Sequence, residues 1–407
     1  MPPRRIFYGW YVVAAICLIT TTTSGLAFYN LSVLLAAFTA ERGFPVGLAS
    51  SATATFFIFG GIGGVIAGRL VDRFDPRIVI GISATLAAVT LATAGLLRET
   101  WQLYLFHAVF GLCHGGGGLV PVTTLVARWF NQRRALAFSL ASTGLSLGGM
   151  FVTPFAALAV EQLGLGRAAP WMGIAMFLGI VPVTILVLRA RPRSMGLEAD
   201  GVSEAQAAAN LASGPRTSFA EAWRSRFFVA VSISYLFLLG AQVGAIAHFY
   251  RLASTRDGVA TAALALATMA SCSTIGRLLG GWLLLRVPAR TFALALMLVQ
   301  AAALAFLALA EGRGMILAGA VMFGLTIGNS LMMQPLLLAE RFGTRDYGRI
   351  YSSSQFVTMV GVAGCPALIG FLYEASAGYA VPFLVVAGLT LLGYAVLLAF
   401  STATKRA

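Results

Sequence analysis

Hydrophobic positions run through this chain in long unbroken blocks, and polar positions are confined to short breaks between them. Twelve such blocks can be counted: Ile6–Leu35, Gly47–Val71, Ile78–Leu97, Trp101–Ala127, Ala135–Val160, Pro170–Leu188, Phe227–Phe249, Val259–Leu285, Thr291–Ala310, Gly314–Leu338, Ile350–Tyr373 and Val381–Phe400. Each is long enough for a helix of about 20 residues, the length that crosses a bilayer. The pattern therefore predicts an all-α polytopic membrane protein with 12 transmembrane helices. The first block is too long for a signal-peptide core and lacks a small-residue cleavage site, so it is expected as a retained helix.

One long polar connection, Arg189 to Ala222, separates six blocks from six. It contains Pro192, Gly196, Gly201 and Pro215, and about 30 residues cannot bury a useful core, so it reads as a linker. The expected organisation is an N-terminal six-helix bundle over 1–190, a cytoplasmic linker over 191–222 and a C-terminal six-helix bundle over 223–407. Sliding one half onto the other at an offset of 213 aligns Trp10 with Trp223, Gly68 with Gly281, Arg73 with Arg286 and Arg77 with Arg290. The same offset pairs Leu112 with Leu325, Gly115 with Gly328, Arg128 with Arg341 and Gly148 with Gly361. A constant register across several helices and loops marks a tandem repeat.

Composition and charge agree with this layout. At 59% hydrophobic and 10% charged residues, with mean hydropathy +0.87, the chain is too apolar for a soluble fold. A net charge of +14 would point to nucleic acid in a soluble protein, but its distribution excludes that reading. Of 28 Lys and Arg, 21 fall at the termini or on even-numbered connections, and only Arg42, Arg98, Arg167, Arg251, Arg256 and Arg313 fall on odd-numbered ones. This bias places both termini in the cytoplasm. Cys17, Cys113, Cys272 and Cys365 lie inside apolar blocks at unrelated spacings, so neither a disulfide framework nor a metal site is expected. No nucleotide-binding loop, zinc motif or nucleophile–histidine–acid set is present, which argues against an ATP-driven pump or a membrane hydrolase, and no cofactor is expected.

The remaining cation, Arg277, stands in the middle of the eighth block with no acid beside it. A charged side chain at that depth costs roughly 2.5 to 3.5 kcal/mol on insertion scales and persists where it faces a wet cavity or a partner. Nine residues separate it from Arg286, about 13 Å along a helix at roughly 1.5 Å per residue, so full snorkelling would be strained. Arg277 falls opposite Gly64 in the repeat register and thus belongs to one half only. The alternatives are a ligand-binding cation and an arginine that holds structure through helix-end carbonyls or a water-filled crevice.

The charged turn Gly68-Arg69-Leu70-Val71-Asp72-Arg73, followed by Asp75, Pro76 and Arg77, resembles the signature loop of the major facilitator superfamily. Asp75 and Pro76 stand where that family more often has glycine and arginine, and the second repeat has Leu285 opposite Asp72. The resemblance implies a conformational latch in the first half only, made by Gly68, Asp72, Arg73, Arg77, Arg128 and Arg134. Tyr8-Gly9-Trp10, Arg128-Trp129-Phe130-Asn131-Gln132-Arg133-Arg134 and Arg191-Pro192 with Gly196-Leu197 and Asp200-Gly201 look like the monocarboxylate-transporter branch, including its bacterial members and oxalate/formate exchangers. Gly276-Arg277-Leu278-Leu279-Gly280-Gly281-Trp282 is similar to the eighth helix of that branch, whose arginine binds the substrate carboxylate. The likeness implies a monomeric carrier in the cytoplasmic membrane of a bacterium, with the bilayer, a small organic anion and a proton as partners. Two departures stand out. Ser273 occupies the place of an acid found in eukaryotic members, and Tyr351-Ser352-Ser353-Ser354-Gln355 carries no counterpart of the exchanger's second cation.

The substrate-binding candidates are Arg277, Ser273, Tyr29, Asn30, His114, Gln242, His248, Asn329, Tyr351 and Gln355. A guanidinium grips one carboxylate through two parallel hydrogen bonds, so one cation argues for one carboxylate. Moving a monoanion into a negative-inside cell opposes the potential by about 2.3 kcal/mol per 100 mV, which calls for a co-transported proton or for exchange. All 14 acids lie in loops or near helix ends, leaving His248, His114 or no dedicated residue to handle the proton. The expected function is proton-coupled transport of a lactate- or pyruvate-like monocarboxylate by alternating access. An organic-anion exchanger is the alternative, followed by a drug exporter and a non-transporting solute sensor; none of these is an enzyme.

Overall fold

The computed structural model describes residues 7–117, 125–126, 128–130, 134–197, 217–284, 286–343 and 347–401. Among them the first six long helices are α1 (Gly9–Glu41), α2 (Val46–Arg73), α3 (Pro76–Ala92), α4 (Thr100–Gly117), α5 (Arg134 to Leu163) and α6 (Leu165–Leu186). The second six are α7 (Arg226–Asp257), α8 (Val259–Leu283), α9 (Ala289–Leu309), α10 (Gly312–Phe342), α11 (Tyr347–Ser376) and α12 (Ala380–Ser401). Eleven described helices are long and apolar enough to cross a membrane; α4, the counterpart of the fourth block, runs up to residues outside the described set. The protein is a multi-pass, all-α membrane protein.

The chain separates into two compact units, one of residues 1–30 with 58–209 and one of 31–57 with 210–407. Of the expected linker, residues 198–216 lie outside the described set. It ends in a short helix, Phe219–Arg224, closed by a capping box between Ser218 and Glu221.

In the first unit, α1 packs on α5 through small residues. Gly144 and Gly148 face the α1 backbone, and a Cβ at Gly148 would come within 2.5 Å of the Gly25 nitrogen. Such close approach lets side-chain hydroxyls bond across the helices where no water competes. Thr20 Oγ1 donates to the Ala141 carbonyl (3.0 Å), Ser24 Oγ to that of Leu145 (2.8 Å) and Thr153 Oγ1 to that of Gly25 (2.8 Å). Each helix carries a π-helical turn at this contact, Ser24–Phe28 in α1 and Gly148–Val152 in α5. The Thr20–Ser24 tract is therefore consumed by helix packing, with Thr21 and Thr23 also bonding back to Cys17 and Ile19.

The family-like motifs at the start of α1 and around Trp129 meet in this unit. Tyr8 donates to the Val187 carbonyl (2.9 Å), and Trp129 Nε1 to that of Arg189 (2.8 Å), so both secure the end of α6. Phe7, Tyr8, Trp10, Trp129 and Phe130 stack around Gly9, where a Cβ would fall 2.9 Å from the Phe130 ring.

The helix α7 runs two turns past the block expected to end at Phe249, so Arg251 and Arg256 belong to a helix and not to a connection. The reason is that both cations find partners there. Arg256 donates to the carbonyls of Leu307, Ala308 and Ala310 at the end of α9 (2.6–2.8 Å), the terminus whose dipole favours a cation.

Candidate functional site

The face of α8 that carries the arginine is set by an alternation of small and large residues. Ser273, Gly276 and Gly280 are buried, while Ile275, Leu278, Leu279 and Trp282 are exposed on the opposite side, as a lipid-facing surface would be. Arg277 is half-buried at the edge of the buried face, and that face packs on α10. Gly276 meets the backbone of Leu325, its would-be Cβ 2.9 Å from the Leu325 carbonyl carbon. A Cβ at Gly328 would lie against the Ser273 carbonyl oxygen, 3.1 Å from Arg277 Cβ and 3.3 Å from Arg277 Nε. Asn329 is buried, donates from Nδ2 to the Gly276 carbonyl (2.6 Å) and occupies the space above Gly280.

The first repeat contains the same contact without the charge. Gly63 on α2 meets the backbone of Leu112 on α4, again 2.9 Å from the carbonyl carbon, and Gly115 lies against Gly60 and 2.7 Å from the Gly64 nitrogen. Adding 213 to Gly60, Gly63, Gly64, Leu112 and Gly115 gives Ser273, Gly276, Arg277, Leu325 and Gly328. The two helix pairs are thus built on one plan, and Arg277 occupies the place of a glycine. At the end of the same motif, the Arg286 guanidinium lies 4.0 Å over the Trp282 ring, a separate cation on a separate partner.

The structure brings Arg277, Ser273 and Asn329 together on α8 and α10. The other candidates stand elsewhere. Tyr29 is buried against Phe28, and Asn30 is buried with its amide bonded to the Leu26 carbonyl (3.2 Å) and facing Met172 Sδ (3.7 Å). Half-buried His114 lines a small cavity with Thr23, Ala87, Cys113 and Met176. Gln242 is buried on α7, and among the described residues its Oε1 has no hydrogen-bond partner; the same holds for Oε1 of half-buried Gln355 on α11. Tyr351 is half-buried on the same helix. His248 is fully buried and held by Ser50 Oγ (3.1 Å), the Pro366 carbonyl (3.0 Å) and Tyr379 OH (3.2 Å). Gln334 joins a polar cluster of Ser354, Thr358 and Ser232 between α10, α11 and α7.

Of the latch candidates, Gly68, Asp72, Arg73 and Arg134 are described only as helical backbone, and their further surroundings lie outside the described residues. Arg77 binds Asp75 through Nε (2.9 Å) and Nη2 (2.6 Å), and Asp75 also caps α3 by accepting the Arg77 backbone N–H, with Pro76 in the first turn. Partial burial raises the Asp75 carboxyl, but the hydrogen bonds and charge of Arg77, together with the charge of half-buried Arg128, outweigh it and hold the group below its usual value. The Asp75-Pro76 departure from the family loop is thus a helix start.

Sequence reasoning missed several residues. Arg251, Thr39, Ser50 and Tyr379 form a hydrogen-bonded group with His248, Arg251 also lies over the Tyr373 ring, and Glu374 accepts from the Gly47 N–H. Arg251 follows His248 by three residues on one helix, a spacing that puts both on one face. Of the glycines that seat Arg277, Gly276 and Gly280 stand in the motif around it, and Gly328 shows in the sequence only as the offset partner of Gly115.

The family model for the Major Facilitator Superfamily matches residues 17–363. The chain is 27% identical over 348 residues to Monocarboxylate transporter 13 of Rattus norvegicus, covering 83% of this chain and 76% of that one. It is 26% identical over 340 residues to an MFS-type transporter of Gibberella moniliformis, covering 80% and 75%. Among solved structures, a bacterial homologue of the human lysosomal transporter Spinster shares the fold with a TM-score of 0.73 at 18% identity, over 98% of this chain and 97% of that one. With most of its length matched, the chain belongs to the major facilitator superfamily, whose members are membrane transporters and not enzymes.

Proposed function

We propose that the protein carries a small monocarboxylate, of lactate or pyruvate size, across the membrane together with a proton, and that Arg277 anchors the carboxylate. The single observation behind this reading is the α8–α10 contact, where an arginine replaces the glycine of the equivalent α2–α4 contact, Gly328 leaves room beside it and Asn329 binds the neighbouring Gly276 carbonyl. A helix pair that packs well with glycine has no structural need of a guanidinium there, whereas a carboxylate would bind it bidentately. The likeness to Monocarboxylate transporter 13 supports the same cargo class. In this reading both termini are cytoplasmic, the membrane is the cytoplasmic membrane of a bacterium, and repeats 1–190 and 223–407, joined by linker 191–222, are the halves of an alternating-access cycle in a functional monomer.

The test is uptake of radiolabelled lactate or pyruvate into proteoliposomes with an imposed pH gradient. The wild type should accumulate substrate when the outside is acid, and Arg277→Ala and Arg277→Lys should abolish accumulation while remaining folded by thermal unfolding. Normal uptake by either variant would defeat the anchor. Flux that requires internal counter-substrate and ignores the pH gradient would make the protein an anion exchanger.

A further inference from the structure

Residues 31–57 belong to the first repeat by sequence but to the second compact unit by contact, and a row of hydrogen bonds attaches them there. Thr39 Oγ1 accepts from Arg251 Nε (3.1 Å), the Gly47 N–H donates to Glu374 Oε1 (2.6 Å), and Ser50 Oγ meets His248 Nε2 (3.1 Å). At the middle of this seam stands His248, wholly buried, with Ser50 and Tyr379 buried beside it.

The partners assign its protonation. The Pro366 carbonyl is an acceptor only, so Nε2 carries the hydrogen and donates to it, with the Ser50 oxygen as a second acceptor while that hydroxyl donates to Val46 O (2.6 Å). Nδ1 is then an acceptor for the Tyr379 hydroxyl, whose oxygen accepts from Arg251 Nη1 (3.4 Å). Every contact of the seam is satisfied with a neutral ring. A second proton on Nδ1 turns that acceptor into a donor. Tyr379 must then swing its own hydrogen away, and its oxygen is left facing two cationic donors, the imidazolium and Arg251.

Among the described residues, the charged and titratable groups around the ring are Arg251 on its own helix, Tyr373 and Glu374 on α11, and Tyr379 before α12. Ser50 on α2 adds none, and Glu41 and Arg42 lie at the connection from α1 to α2. Arg251 is itself held over the Tyr373 ring at 4.7 Å, and Glu374 is engaged by the Gly47 amide, so a new positive charge meets the fixed positive charge of Arg251.

We propose that His248 is a proton-binding site, separate from the Arg277 site, whose occupation parts residues 31–57 from α7 and α11. Acid loosens the seam, and neutral pH closes it. Its function is to make opening of this face respond to the pH on that side of the membrane, whatever the transported solute.

The experiment uses the full chain in lipid nanodiscs, with Cys17, Cys113, Cys272 and Cys365 changed to Ser and nitroxide labels on Glu41→Cys and Ser376→Cys. Distances are read by pulsed electron resonance at about pH 8 and about pH 5, either side of the ordinary histidine range. The short distance should dominate at the higher pH, and acid should raise the ratio of long to short populations about fivefold, the scale of one lost hydrogen bond. His248→Gln keeps polar groups without the titration and should abolish the response. Arg277→Ala should keep it, which separates this proposal from the anion-anchor reading. Tyr379→Phe removes the donor to Nδ1 and should show the long population already at the higher pH, deciding the matter should His248→Gln fail to fold. Distributions that ignore pH in the wild type, a response that survives His248→Gln, or a Tyr379→Phe protein that matches the wild type at the higher pH would each overturn the proposal.

Discussion

Gly328→Ala is the sharpest perturbation of the arginine seat, because an equivalent substitution in the other repeat supplies its own control. A methyl group at 328 would press on the Ser273 carbonyl and come within 3.1 Å of Arg277 Cβ and 3.3 Å of Nε, so α8 and its arginine must shift. Overpacking of this kind costs about 1–3 kcal/mol of stability. Gly115→Ala makes the same clash against Gly60 and, at 2.7 Å, the Gly64 nitrogen, so its cost in stability is of the same order. Only the first displaces a cation. Charge-assisted hydrogen bonds are worth about 1.5–3 kcal/mol each, so losing one bond of a bidentate grip should weaken monocarboxylate binding roughly ten- to hundredfold. Thermal unfolding of both variants, with and without a saturating monocarboxylate, reads both quantities. Both should melt below the wild type, and only Gly328→Ala should lose the ligand-induced rise. A Gly328→Ala protein with the full rise, or a Gly115→Ala protein that loses it equally, would refute the reasoning.

Three further substitutions probe the surroundings. Asn329→Ala removes a second donor from the Gly276 carbonyl, which keeps its intrahelical bond, and should cost about 0.5–1.5 kcal/mol by thermal unfolding, with weaker carboxylate binding as the α8 backbone relaxes. Asp75→Asn removes the charge of a cap and ion pair, so it should lower stability by about 1 kcal/mol near neutral pH. Because the Asp75 pKa is depressed in the folded protein, its contribution is present above the ordinary carboxylate range and vanishes as pH falls through the depressed value; wild type and Asp75→Asn should therefore converge in strong acid. Trp129→Phe deletes the donor to the Arg189 carbonyl and should destabilise the end of α6, read as faster amide exchange at 186–190, with carboxylate affinity unchanged.

Much of this architecture is legible in one sequence because a membrane simplifies the code. The apolar blocks announce the helices, and the offset that pairs Leu112 with Leu325 and Gly115 with Gly328 turns out to pair helix contacts residue for residue. Arg277 was legible for the same reason, as a charge whose cost demands a use. Less visible were features set by distant neighbours. The bonds of the Thr20–Ser24 tract go to helix carbonyls and to α5, and nothing in a local window reveals Ala141 or Leu145. Arg251 and Arg256 read as loop charges because the carbonyls and phenols that accept them lie 50 to 130 residues away. His248 reads as a candidate for the substrate or the proton, and only the fold supplies Ser50, Pro366 and Tyr379.

The central claim is that Arg277 binds one carboxylate, and equilibrium binding of pyruvate compared with its methyl ester tests it most directly. Calorimetry on purified protein should show wild type binding the acid at least tenfold more tightly than the ester, with that preference gone in Arg277→Ala. Equal affinity for acid and ester in the wild type, or an undiminished preference without the arginine, would contradict the account.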